Sequence, residues 1–177
     1  TKTMAQLMQY AAHVRNCDLT NGGKKTPLEL ATGRKPPGVV QIENMNPGSV
    51  SQEGTDVTIF ATGHLVWEAV EAAKTLSEEG ISVELINIHT IKPLENESIL
   101  KSVAKTKCVV TAEEHQVAGG MGESIAQLLA KNNSVPMELV AVNDKFGESG
   151  KPADLMKKYG LHSSDVIKAT HRVLKRK

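Results

Sequence analysis

Aromatic side chains are scarce: the 177 residues hold one tryptophan, two tyrosines and two phenylalanines, about 3% of the chain. Proteins that read single-stranded nucleic acid stack bases on flat side chains, so the scarcity argues against that class. Net charge is nearly absent as well. Lys and Arg number 21 against 20 Asp and Glu, and the resulting +1 gives no electrostatic footprint for nucleic acid or an anionic membrane. The two cysteines, Cys17 and Cys108, lie far apart with no CxxC pair or Cys/His cluster, so nothing points to zinc or requires a disulfide. No run approaches the about 20 apolar residues of a membrane span, and the first residues lack a signal-peptide apolar core. These absences lead to the expectation of a soluble, cytoplasmic protein with no membrane or nucleic-acid partner.

What is present is a core of Val, Ile, Leu, Ala and Met within a 40% apolar chain, a composition that suits layered α/β architecture. The stretch from Val57 to Leu94 carries the clearest pattern. Val57 to Ala61 is a short β-branched run. Leu65, Val66, Ala69, Val70, Ala73 and Leu76 then recur at helical spacing, with Glu68, Glu71, Lys74 and Glu78 between them. Gly80 closes the helix and Ile81 to Ile86 returns to a strand, which predicts a parallel βαβ unit. Helix Asn96–Lys105 with Asn96 as N-cap, strand Cys108–Ala112, helix Glu123–Lys131 and strand Met137–Val142 follow. A short helix from Pro152 and a last amphipathic helix capped by Ser163-Ser164 complete the order β-α-β-α-β-α-β-α-α. Cys108 reads as a small buried hydrophobe, and the basic end Lys175-Arg176-Lys177 as a match to the helix dipole.

Residues 1–50 read as an N-terminal helical segment and linker, residues 51–177 as one three-layer α/β/α domain with a mostly parallel sheet. Helical spacing covers Met4 to Ala12, and Thr26-Pro27-Leu28-Glu29 has the start of a second short helix.

Chemistry would gather at the carboxyl ends of the strands. There Glu113, Glu114 and His115 precede the turn Gly119-Gly120-Met121-Gly122, and Asn143-Asp144 opens a second polar loop running to Gly150. Two carboxylates and an imidazole could serve as acid, base or metal ligands, and a glycine-rich helix entry could cradle a phosphate. Adjacent Glu113 and Glu114 should point to opposite faces of a strand, which disfavours a paired-carboxylate engine. The turn lacks a Walker ending and the spacing of a dinucleotide fingerprint. His64, His89, His162 and His171 show no partnering pattern, and no GxSxG elbow is present. Glu113, Glu114, His115, Gly119, Gly120, Gly122, Asn143 and Asp144 are therefore candidate loop or interface residues, with no catalytic, cofactor-binding or metal residue assigned.

Two stretches resemble known families. Tyr10 to Pro37, YAAHVRNCDLTNGGKKTPLELATGRKPP, resembles the tail of a retroelement integrase core through its Arg-Asn pair and its TP-x-EL-x-x-GRKP stretch. The acidic triad of that enzyme would lie upstream, so no strand transfer is implied. DVTIFATG, GISVELINIHTIKPL, VVTAEEHQVAGGMGESIA and VNDKFGESGKPADLMKKYGL, in this order over residues ~54–177, resemble the C-terminal domain of transketolase, whereas residues 1–50 read as not transketolase-like. Short, two-chain bacterial-type transketolases are the nearest in form. The last domains of 1-deoxyxylulose-5-phosphate synthase and of pyruvate dehydrogenase-type beta subunits are more distant.

The transketolase resemblance implies a five-stranded mixed sheet with one antiparallel edge strand, sought here around Val39-Val40-Gln41-Ile42 or in a late loop. It implies a parent enzyme that moves a two-carbon ketol unit between sugar phosphates, using thiamine diphosphate and magnesium held by two other domains. The implied role of this chain is structural and dimerising, catalytically incomplete alone. It would form a homodimer or pair with a chain carrying the cofactor-binding domains. Two further readings stay open: a stand-alone interaction or small-anion-binding α/β module, and a fusion relic without function.

Overall fold

The computed structural model describes residues 50–177. The expectations for Met4 to Ala12, Cys17, the Thr26 helix, the integrase-like stretch and the Val39–Ile42 strand lie outside the described residues. In chain order the elements are β1 (Val50–Gln52), β2 (Val57–Ala61), α1 (Leu65–Glu78), β3 (Val83–Asn87) and α2 (Asn96–Thr106). They continue with β4 (Val109–Gln116), α3 (Met121–Asn132), β5 (Met137–Val142), α4 (Pro152–Lys158) and α5 (Ser163–Leu174).

The strands form one sheet in the order β1-β3-β2-β4-β5. β2 lies at its centre, parallel to β3 and β4, with Ile59 opposite both Leu85 and Val110. β5 is parallel to β4. All five residues of β2 are buried, and their alternation divides the core. Val57, Ile59 and Ala61 meet Leu65, Ala69 and Leu76 of α1 and Val166, Ala169 and Val173 of α5 on one face. Phe60 meets Ile99 and Val103 of α2 and Met121, Ile125 and Leu129 of α3 on the other. A strand covered on both faces must be apolar at odd and even positions alike, which is what VTIFA supplies. Each fully covered Ile, Leu or Phe contributes about 1.5–3 kcal/mol. The one polar member, Thr58, is satisfied by the hydroxyls of Ser102 at 2.7 Å and Thr106 at 2.6 Å on α2.

The βαβ unit stands as expected. Gly80 takes φ 82°, and the Ile81 amide returns to the Leu76 carbonyl at 2.9 Å, closing α1. Among the described residues the antiparallel edge strand is β1, paired with β3, and not a segment in a late loop. Three residues are too short to show a period, and Gly54 stands two residues beyond its end. Its amide donates to Glu84 Oε2 at 3.3 Å, while a Cβ there would collide with the Val83 backbone.

Helix starts differ from expectation in three places. Glu95, not Asn96, caps α2, because its carboxylate reaches the Ser98 amide at 2.7 Å. α3 begins at Met121 rather than Glu123. At α5 the cap is His162, whose Nδ1 accepts the Ser164 amide at 3.4 Å while the Asp165 carboxylate receives the His162 amide, so Ser163 and Ser164 fall in the first turn. The C-terminal basic residues do more than face a dipole. Arg172 Nε and Arg176 Nη1 both donate to Glu138 on β5, at 2.9 and 2.6 Å, clamping α5 to the sheet edge.

Candidate functional site

β4 runs four residues beyond the expected end at Ala112, to Gln116. That extension decides the fate of the candidate residues. Glu113 turns inward and is 2% exposed, whereas Glu114 and His115 face solvent. The opposite orientation of the two glutamates is as expected. Glu113 Oε2 accepts the Met121 amide and Oε1 the Gly122 amide, both at 2.7 Å. The first N–H groups of a helix have no partners within it and carry the positive end of its dipole, so a carboxylate placed there is well satisfied.

The glycines make this possible. Gly119 has φ 80°, which favours a residue without Cβ, and its amide donates to the Glu123 carboxylate of α3. A Cβ on Gly120 would lie 2.7 Å from the Glu113 carboxylate carbon, and one on Gly122 would lie 2.7 Å from Thr111 Oγ1 and 2.8 Å from Leu139. Glycine at 120 and 122 thus answers to close approach, not to a special dihedral. The amides that could have held a phosphate are filled by the chain's own carboxylate. The small-anion reading loses its seat at this turn.

Asn143 and Asp144 do not join Glu113. They stand exposed in the loop after β5, with Asp144 at φ 47° and its amide bonded to the Val142 carbonyl at 3.0 Å. The two candidate loops are joined instead by Gln116, whose Nε2 donates to the Lys145 carbonyl at 2.7 Å. Nothing in the sequence marked Gln116. Its role depends on the strand's extension and on the neighbouring position of β5.

Of the histidines thought unpartnered, His171 Nε2 lies 3.0 Å from Glu79 and His162 Nε2 lies 4.0 Å from Glu68. Both contacts join α5 to α1 or its end, and both are structural. Burial raises the pKa of the Cys108 thiol, whose Sγ donates to the Asp56 carbonyl at 3.3 Å. A shallow cleft of about 180 Å³ beside β5 includes Asp165, Lys168 and Arg172. Those charges pair at home, Lys168 with Asp165 and Arg172 with Glu138. Among the described residues no group of three or more His, Cys, Asp or Glu is placed to hold a metal ion. No described helix is long and apolar enough to cross a membrane.

The described residues thus form an α/β sandwich in which Glu113, of the polar strand-end residues, is committed to the chain's own turn while Glu114, His115, Asn143 and Asp144 stay exposed. The family model for the transketolase C-terminal domain matches residues 47–166, and the chain belongs to that family. A 6-deoxy-6-sulfo-D-fructose transketolase subunit of Clostridium sp. is 41% identical over 155 residues, 85% of this chain and 48% of the relative. A transketolase C-terminal section of Methanocaldococcus jannaschii is 34% identical over 172 residues, 93% of this chain and 53% of the relative. An alignment of that share extends into the first 50 residues. A solved split-gene transketolase, described as an inactive beta4 tetramer, superposes with a TM-score of 0.71 at 44% identity, covering 73% of this chain and 43% of its own. 1-Deoxy-D-xylulose-5-phosphate synthase 1 of Geobacter sulfurreducens is 37% identical over 129 residues, 72% of this chain and 20% of the relative. The chain spans about half the length of the first two curated relatives. The integrase-like reading of Tyr10–Pro37 gains no support from these relatives.

Thiamine diphosphate belongs to the parent enzymes of this family. At the glycine-rich entry to α3, the one turn whose amides could cradle a phosphate, both amides are taken by Glu113, so this turn does not fit the diphosphate.

Proposed function

We propose that this chain serves as the C-terminal structural and dimerising domain of a thiamine-diphosphate-dependent transketolase that moves a two-carbon ketol unit between sugar phosphates. On this view the cofactor sites lie on domains other than the one these residues form. In this reading the domain works in the cytoplasm, as a homodimer or paired with cofactor-binding domains, and its folded unit starts near residue 50. The observation that carries the reading is Glu113. In a domain of the transketolase C-terminal family, the most chemically suggestive turn is spent on an internal joint, not on a ligand. A ketol-transfer assay with ketose and aldose phosphates tests it. The 177-residue chain alone should give no turnover, and activity should appear with the cofactor-binding domains present. Turnover by the chain alone overturns the reading.

A further inference from the structure

β5 is an outer strand of the sheet, with β4 on one side and no strand on the other among the described residues. The hydrogen bonds fix which of its backbone groups face outward. The carbonyls of Pro136 and Val142 accept the Val109 and Val117 amides, at 3.0 and 2.9 Å, so both turn toward β4. The two-residue repeat of a strand carries Glu138 and Val140 the same way and turns Met137, Leu139 and Ala141 outward. The Met137 carbonyl agrees, since it leaves the sheet to accept Arg176 Nη1 at 3.1 Å. The outward N–H and C=O groups of Leu139 and Ala141 have no partner among the described residues. Ala141 is only 4% exposed, so these groups face the narrow cleft of about 180 Å³ beside β5 and not open solvent. Backbone groups that deep are costly without a hydrogen bond, and the cleft floor therefore favours a polar occupant.

One wall of the cleft is charged. Asp165, Lys168 and Arg172 line it together, and their spacing of three and four residues puts them on a single face of α5. Lys168 meets Asp165 at 3.1 Å but is 66% exposed, so its ammonium can turn to a ligand at little cost. Arg172 reaches Glu138 through Nε at 2.9 Å, which leaves both Nη groups without a partner among the described residues. A free guanidinium fork suits a carboxylate. The cleft thus offers cations, an anion and backbone groups of both kinds within one small space. A simple anion would meet Asp165 and the floor carbonyls, and a simple cation would meet Lys168 and Arg172. A zwitterion satisfies both signs. Size narrows the class further. A cavity of about 150 Å³ holds a benzene-sized molecule, so this cleft takes roughly six to nine non-hydrogen atoms.

We propose that the cleft between the edge of β5 and α5 is a binding site for a small free α-amino acid. The ligand carboxylate accepts from the Arg172 Nη groups, from Lys168 and from an outward N–H of β5. Its ammonium donates to Asp165 and to an outward carbonyl of Leu139 or Ala141. A residue of an edge strand presents its N–H and C=O side by side, and an α-amino acid carries the complementary pair on one carbon. The site goes beyond the structural role proposed above and does not depend on it, because every group it uses belongs to β5 or α5.

Titration of the nitrogen-15-labelled 177-residue chain, followed amide by amide by NMR, tests this without any assay of ketol transfer. Glycine, alanine, serine, threonine, valine and aspartate are added one at a time. At least one should give saturable shifts at the Leu139, Ala141 and Lys168 amides, with a Kd on the order of 0.1–1 mM. Acetate, which lacks the ammonium, and N-acetylalanine amide, which lacks both charges, should leave those amides unmoved at the same concentrations. Lys168→Glu changes an exposed side chain, so the rest of the spectrum should hold while the Kd rises at least about tenfold. No saturable shift with any of the six amino acids overturns the site and leaves the cleft to water. Shifts of equal size with acetate reduce it to an anion contact and also overturn it. Binding at amides away from β5 and α5, or an unchanged Kd in Lys168→Glu, does the same.

Discussion

Glu113 Oε1 accepts the backbone N–H of Gly122 at 2.7 Å, deep enough that the glutamate is only 2% exposed. With the Met121 amide on the other oxygen, the end of β4 and the start of α3 become one rigid joint. The sites where anions ordinarily bind helices are thereby used for folding, and the consequences can be measured.

Glu113→Ala orphans two buried amides. Each costs about 1–3 kcal/mol when left without a partner, so urea unfolding should show a clear loss of midpoint. Glu113→Gln should recover only part of it, because the carboxamide offers a single acceptor oxygen and turns its NH2 toward a donor. A midpoint unchanged in both variants refutes the joint.

Gly120→Ala should destabilise by steric conflict with the Glu113 carboxylate, not by backbone strain, since Gly120 has an ordinary φ of −91°. The expected cost is about 1–3 kcal/mol in the parent chain. In a Glu113→Ala background most of that cost should vanish. A double-mutant cycle measures the coupling, and additive losses rule out the steric account.

Glu95 caps α2, and the Ser98 hydroxyl and amide hold its carboxyl below the ordinary carboxylate range. A folded-state pKa that is lowered gives stability present above the unfolded value and lost as pH falls through the folded one. Glu95→Ala should therefore cost about 0.5–2 kcal/mol near neutral pH, and the gap from the parent should close in acid. A gap that persists once the carboxyl is protonated contradicts this assignment.

Burial raises the Cys108 pKa, so at neutral pH the side chain stays a thiol, packed behind the Asp56 carbonyl. Iodoacetamide labelling, followed site by site by mass spectrometry, should be at least about tenfold slower at Cys108 in the folded chain than in urea. Equal rates would place the thiol in solvent.

Much of the architecture was legible from residue order. The helical spacing of Leu65, Ala69, Ala73 and Leu76, set between two apolar runs, predicts α1 on a parallel sheet because local periodicity and burial coincide there. The opposed directions of Glu113 and Glu114 follow from the two-residue repeat of a strand. The caps were less legible, because Glu95 and His162 act through long side chains whose reach depends on the turn ahead of each helix.

The sequence by itself determined the α/β class and the order from β2 to α5, since these depend on patterns within a few residues. Only the tertiary structure decided that β1 closes the sheet against β3, that Gln116 stitches two loops and that Glu113 is consumed by α3. Each of these joins groups whose meeting depends on how strands lie beside one another and where a turn delivers the chain. A hydrogen bond of 2.7 Å across such a join leaves no periodic trace in the residues that make it.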